Sequence, residues 1–248
     1  MNRESRSVLL VDSSRTMLYY YGIMLQRLSY TVHTVLTAEE ALKEIEQGLP
    51  SFVITEITLP RMSGLDLLGK IAASDVMRKV PVIILTSESD PRIRESCLRL
   101  GCAGYLNKPV DADVLYRTIQ MVSEQSPREH IRLYVSLKVI VGDGSDLGGN
   151  ERVEYATAIS AGGLFVRTLY PQPKNAITPL RICINEREIR AKAVVLYTSG
   201  MERGAFREPG MGMKFVEISD QDRSFVREFI NAQLTLGVED PGRDQRSG

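Results

Sequence analysis

Five short apolar runs alternate with five segments of helical length over the first half of this chain. The runs are Ser7–Asp12, Thr31–Val35, Phe52–Glu56, Pro81–Leu85 and Gly104–Asn107. Between and after them lie segments with helical length or apolar spacing: Arg15 to Leu28, one opening at Thr37, then 64–74, 90–100 and 111–124. Thr37 followed three residues later by Glu40 is a capping-box pair, which fixes one helix start. Alternation of this kind predicts an α/β fold, a doubly wound five-stranded parallel sheet over residues 1–124. In such sheets functional side chains gather at the carboxyl ends of the strands.

Past a short linker, Gln125-Ser126-Pro127, the helical segments stop. Strand character appears at 133–141 and near 152–159, separated by the turn-rich Gly142–Asn150, and again at 163–168, 179–184, 189–198 and 212–218. One amphipathic helix follows from Asp220 to Leu236, with Phe225, Phe229, Ile230 and Leu234 on its apolar face. Residues 128–236 are therefore expected to form a small antiparallel β barrel with a closing helix, and 237–248 a disordered polar tail. Gly142–Asn150 has no Gly-Lys-Ser/Thr after it, so it reads as a hairpin connection and not a phosphate-binding loop.

Composition narrows the function. Lys and Arg number 31 and Asp and Glu also 31, so net charge gives no reason to expect duplex DNA or an anionic membrane surface. There is no basic helix or helix-turn-helix pattern and no apolar stretch long enough to span a bilayer, and the opening residues are not expected to act as a signal peptide. Cys97, Cys102 and Cys183 are an odd, sparse set, read as reduced thiols in a cytoplasmic protein. With only His33 and His130 beside them, no metal-ligand spacing emerges. No nucleophile–base pair stands out either, so neither an enzyme nor a resident cofactor is expected.

Polar residues stand at four strand ends: Asp12, Glu56, Thr86 and Lys108, the last in Gly104-Tyr105-Leu106-Asn107-Lys108-Pro109. Together with Glu56-Ile57-Thr58-Leu59-Pro60-Arg61-Met62-Ser63-Gly64, they resemble the response-regulator receiver domain over residues 7–124. That resemblance implies an acid pair after the first strand and an acceptor aspartate that hold magnesium. It further implies a lysine and a hydroxyl that hold phosphate oxygens, and an aromatic, here Tyr105, whose rotamer reports the state. Two positions depart from it. Ser13 stands where the second acid would be, and Glu56 where the acceptor aspartate would be. Glu56 places its carboxylate about one bond further out, and in-line phosphoryl transfer tolerates little misplacement. Weak magnesium binding and no useful phosphorylation are expected, with Lys108 free to pair directly with Glu56. Thr86 and Tyr105 are equally readable as packing residues.

In the second half, Arg128-Glu129-His130-Ile131-Arg132 precedes the first barrel strand, and Ala158-Ile159-Ser160-Ala161-Gly162-Gly163 lies about thirty residues on. With Gly210-Met211-Gly212-Met213-Lys214-Phe215, these segments resemble the PilZ domain, a cyclic di-GMP receptor family, over about 127–236. The resemblance implies that Arg128, Arg132, Ser160, Gly162 and Gly163 bind cyclic di-GMP. Guanidinium groups suit both phosphate and the guanine O6/N7 edge. The family's acid or amide falls on Ala158, so affinity is expected to be reduced by roughly 10- to 100-fold. The bland alternatives are solvated linker charges at Arg128 and Arg132, and a tight turn at Gly162-Gly163.

The expected function is a non-enzymatic signalling adaptor. Its receiver-like half is not phosphorylated and its barrel senses cyclic di-GMP, with the arginine pair at the junction coupling ligand to the arrangement of the halves. The alternative is a ligand-independent interaction module, and a working phosphate-accepting regulator is the third reading. A protein partner is expected without being named by the sequence. Receiver domains often dimerise, so a homodimer is one arrangement the resemblance implies.

Overall fold

The computed structural model describes residues 6–124, 127, 129–145, 149–200 and 208–237. The chain divides into two compact units, Met1–Glu129 with Asn231–Gly248, and His130–Ile230. Arg128, two residues of the expected linker and all of the expected tail after Gly237 lie outside the described residues.

The first unit is a parallel sheet built from β1 (Ser7–Val11), β2 (Thr31–Val35), β3 (Phe52–Thr55), β4 (Val82–Thr86) and β5 (Gly104–Asn107). Their order is β2-β1-β3-β4-β5. Helices α1 (Arg15–Arg27), α2 (Ala38–Gln47), α3 (Gly64–Ala73), α4 (Pro91–Arg99) and α5 (Ala112–Ser123) connect or follow them. β3 and β4 are buried at every position, because an inner strand of a parallel sheet is covered on both faces. The edge strand β2 has no buried position, and Thr31, His33 and Thr34 are exposed. On one face Leu9, Val11, Val53, Val82 and Ile84 meet Ala41, Ile45, Leu67, Leu68 and Ile71.

Local chemistry sets the helix starts. Thr37 and Glu40 form the expected reciprocal capping box, and Ser63 and Asp66 form a second. Ser14 accepts from the Met17 N–H, and Pro91 opens α4 behind Asp90, where the ring costs no hydrogen bond. A Cβ at Gly64 would overlap the carbonyl oxygen of Glu56. This glycine lets α3 start directly against the end of β3. A short 3-10 turn at Met77–Lys79, which the sequence did not announce, leads into β4.

The second unit is a closed six-stranded antiparallel barrel, ordered β10-β11-β8-β7-β6-β9. Its strands are β6 (Leu133–Val141), β7 (Arg152–Ser160), β8 (Gly163–Arg167), β9 (Ile177–Ile184), β10 (Arg187–Ser199) and β11 (Gly210–Ile218). β9 starts two residues before the expected limit, with Pro179 inside it. The proline has no N–H to offer, but its carbonyl accepts from Gly142 at 2.9 Å. Alternation is clean along β9 and β10, where Leu180, Ile182, Ile184, Ile189, Ala191, Ala193 and Val195 are all buried.

Helix α6 (Asp220–Leu234) follows β11. Its most buried residues are Val226, Ile230 and Leu234, spaced four apart. Phe225 and Phe229, expected on that face, are only half-buried. Phe225 instead lies beneath the Arg187 guanidinium, 4.6 Å from ring centroid to Cζ, an arrangement that favours the flank over the core. Among the described residues, no helix is long and apolar enough to cross a membrane. All three cysteines are free thiols.

Candidate functional site

The parallel sheet delivers four polar groups to one place. Asp12 follows β1, Glu56 follows β3, Thr86 ends β4 and Lys108 follows β5. Backbone bonds pin their positions: the Glu56 N–H donates to Val11 O at 2.9 Å, and the Lys108 N–H to Thr86 O at 2.8 Å. The Lys108 ammonium donates to Asp12 Oδ2 at 2.5 Å and to Glu56 Oε2 at 2.7 Å. The Thr86 hydroxyl donates to Glu56 Oε1. Backbone N–H groups complete the shell, from Ile57 at 2.7 Å and Thr58 at 3.3 Å to Oε1 and from Ser87 at 3.3 Å to Oε2.

The cluster is nearly dry. The Lys108 side chain is 6% exposed, and those of Asp12 and Glu56 are 8%. Burial by itself pushes the Glu56 carboxyl up. The hydrogen bonds from Lys108 and Thr86, the ammonium charge and the Ile57 N–H outweigh it and hold the group below its ordinary range. Glu56 is therefore ionised at neutral pH, with donors on both oxygens.

Ser13 is exposed, and its hydroxyl reaches only the Thr58 carbonyl at 3.5 Å, too long for a strong bond. The second oxygen of Asp12 is taken by the Ser14 N–H at 2.8 Å. Magnesium requires near-octahedral hard oxygen ligands, usually including free carboxylates. Here the two carboxylates share an ammonium and the third position is a neutral hydroxyl turned elsewhere.

Tyr105 is half-buried on β5, with its hydroxyl on the Glu88 carbonyl at 3.2 Å. Asn107 donates to the same carbonyl at 2.8 Å, and Arg94 sits 5.8 Å from the Tyr105 ring centroid. The β4–α4 loop is thus tied to β5 by two side chains. Sequence reading missed Asn107 and Ser87, since neither a loop N–H nor an amide at a strand end carries a signal before the register is known.

In the barrel unit, Arg132 is exposed and makes no ion pair with a described residue. Ile131 beside it is 1% exposed and anchors the segment. The His130 ring packs on Gly162, where a Cβ would come within 2.5 Å of its Cδ2. Gly162 lies in the two-residue turn between β7 and β8. That turn is held by the Phe215 N–H on Gly162 O and the Arg223 guanidinium on Ala161 O, both at 2.9 Å. The Ser160 hydroxyl donates to Gly163 O at 3.0 Å, so its proton is used within the turn. A Cβ at Gly163 would overlap the Met213 carbonyl on β11. The structure therefore brings Arg132, Ser160, Gly162 and Gly163 to one end of the β6–β7–β8 wall, Leu133 pairing with Ile159 between them. Arg128 lies outside the described residues.

A parallel sheet with this constellation at its strand ends, joined to a closed antiparallel barrel, defines a class of two-domain signalling protein. Residues 8–120 match the response regulator receiver domain and residues 124–232 the PilZ domain, so the chain carries one domain of each family. Among curated relatives, an uncharacterized 14.6 kDa protein of Leptolyngbya boryana is 31% identical over 113 residues, 46% of this chain and 86% of that one. The two-component response regulator ORR7 of Oryza sativa subsp. japonica is 36% identical over 118 residues, 46% of this chain and 56% of its own length. The transcriptional regulatory protein GlrR of Escherichia coli is 31% identical over 126 residues, 51% of this chain and 28% of its own. The chain thus spans about half or less of the length of the latter two. Of solved structures, the chemotaxis response regulator CheY4 of Vibrio cholerae is 27% identical, covering 47% of this chain and 97% of that one, with a TM-score of 0.44.

Proposed function

We propose that this protein is a non-enzymatic signalling adaptor. Its receiver half acts as a fixed, phosphate-independent interaction module, and its PilZ barrel binds cyclic di-GMP through Arg128, Arg132, Ser160, Gly162 and Gly163. One observation carries the first part. Lys108 and Thr86, the groups that hold phosphate oxygens in a receiver, here hold the Glu56 carboxylate. The carboxylate thus occupies, from within the chain, donors that phosphate oxygens would otherwise take. It also accepts hydrogen bonds on both oxygens, which lowers its nucleophilicity.

Intact-mass analysis after incubation with acetyl phosphate and magnesium tests this reading. The protein is expected to stay unmodified, and a stoichiometric phosphoryl adduct on Glu56 or a neighbour would end it. Calorimetric titration with cyclic di-GMP, with Arg132→Ala as control, tests the barrel. Micromolar or tighter binding that the substitution abolishes is expected. A second reading, a ligand-independent interaction module, is favoured by Ala158 and by the internal use of the Ser160 proton. Absence of binding at high ligand concentration would select it.

A further inference from the structure

The strand register lays one row of side chains across five strands of the barrel. Tyr134 on β6 pairs with Ala158 on β7, and Ala158 with Phe165 on β8. Phe165 pairs with Gly212 on β11, and Gly212 with Tyr197 on β10. The adjacent row, Leu133, Ile159, Leu164, Met213 and Val195, is buried at every position. Because alternate residues of a strand point to opposite faces, the Tyr134 row faces outward. Tyr134 is 61% exposed and Tyr197 46%.

Aromatic and small residues alternate along this row. The Tyr197 ring occupies the space above Gly212, where a Cβ would strike it, and stands 6.3 Å from the Phe165 ring with planes 31° apart. Ala158 leaves the floor between Tyr134 and Phe165 low. Those two rings rise from strands two spacings apart, roughly 10 Å. Cations border the shelf. Arg132 precedes Tyr134 by two residues, and Lys214, exposed and in no ion pair with a described residue, follows Gly212 by two. Exposed aromatic rings beside cations that form no ion pair with a described residue are the combination that holds a nucleotide, base by stacking and phosphate by charge.

We propose that one base of a bound cyclic dinucleotide stacks on this aromatic row over Ala158, so that recognition there reads a planar ring and not the hydrogen-bonding edge of guanine. The proposal rests on the cyclic-dinucleotide reading of the barrel and deepens it. An acid or amide at position 158 would accept from guanine N1–H and N2–H and leave adenine without a partner. The Ala158 methyl accepts from neither, so nothing at this position penalises adenine. Stacking tolerates both, since every base has a π face.

Calorimetric titration of the full chain with cyclic di-GMP and with cyclic di-AMP, which share the sugar–phosphate ring, separates the possibilities. The two affinities are expected within about tenfold of each other. Tyr134→Ala weakens both by roughly tenfold or more, and Tyr134→Phe restores them, with the unfolding midpoint unchanged in each. Ala158→Asp widens the preference for guanine by roughly 10- to 100-fold. A wild-type preference for guanine beyond about a hundredfold, or a Tyr134→Ala variant that binds like wild type, overturns the stacking proposal and leaves the receptor reading intact. Failure of both nucleotides to bind overturns the two together.

Discussion

Replacing Lys108 with methionine removes the one cation between two buried carboxylates while keeping the length of the aliphatic stem. Asp12 and Glu56, each 8% exposed in the side chain, would then face each other without a counter-charge. Breaking a buried ion pair by deleting one partner costs about 3–5 kcal/mol, because the remaining charge stays desolvated. Set against a domain stability of about 5–15 kcal/mol, that is a large fraction of the total. The loss also has a direction in pH. In the wild type the Glu56 carboxyl is held below its ordinary value of 4.5. Its contribution to stability is therefore present above that value and fades as pH falls through the lower folded value. In Lys108→Met the two acids repel, and protonation of Glu56 relieves the repulsion. The difference between variant and wild type is expected to be greatest near neutrality and to shrink toward pH 4. Equilibrium urea unfolding of the full chain, followed by the helical far-UV signal to which α1–α5 contribute, gives both numbers. A loss below about 1 kcal/mol at neutral pH would show the cluster to be solvated, and a loss independent of pH would refute the charge argument.

Gly64→Ala should destabilise the first unit by about 1–3 kcal/mol or more, because the new methyl meets the backbone of Glu56 and not a movable side chain; thermal unfolding measures it. Gly162→Ala, by contrast, meets the tip of His130, a side chain able to swing away. Its cost in stability should be small, while displacement of the His130 imidazole resonances in an NMR spectrum should be plain. Ile182→Ala in the barrel interior, fully buried in the wild type, should cost about 2–5 kcal/mol in urea unfolding. Introducing Ser13→Asp together with Glu56→Asp restores a second acid and shortens the first, and the double variant, unlike wild type, should take up phosphate from acetyl phosphate with magnesium.

The element order was legible because each element carries its own local signal. The inner strands are uninterrupted apolar runs, one helix announces its start through the Thr37–Glu40 pair, and the barrel strands alternate. The convergence of Asp12, Glu56, Thr86 and Lys108 followed once the strands were ordered, since strand ends of a parallel sheet meet. The contact between Lys108 and Asp12 was not legible, for a lysine within reach of two acids can choose either or both, and only side-chain geometry decides. Helix α6 misled for a different reason. Phe225 and Phe229 satisfy the apolar period as well as Val226 does, but the Arg187 guanidinium gives Phe225 a partner on the flank. The outward aromatic row was invisible for a third reason. Its members come from five strands, and bulges between Tyr134 and Leu137, Ala156 and Ala158, and Val195 and Tyr197 shift the pairing, so no fixed spacing in sequence would find it.

Closure of the barrel has a consequence for how that half can be read by other molecules. A sheet with free edges exposes a ladder of unspent N–H and C=O groups, and any extended peptide can join it with little regard to sequence. In the barrel β9 pairs with β6 on one side and β10 on the other, and every strand has two neighbours. Where these ladders run, the main-chain groups are therefore spent. Whatever engages this wall must address side chains, and its selectivity can be rewritten one substitution at a time without disturbing the ring of strands beneath.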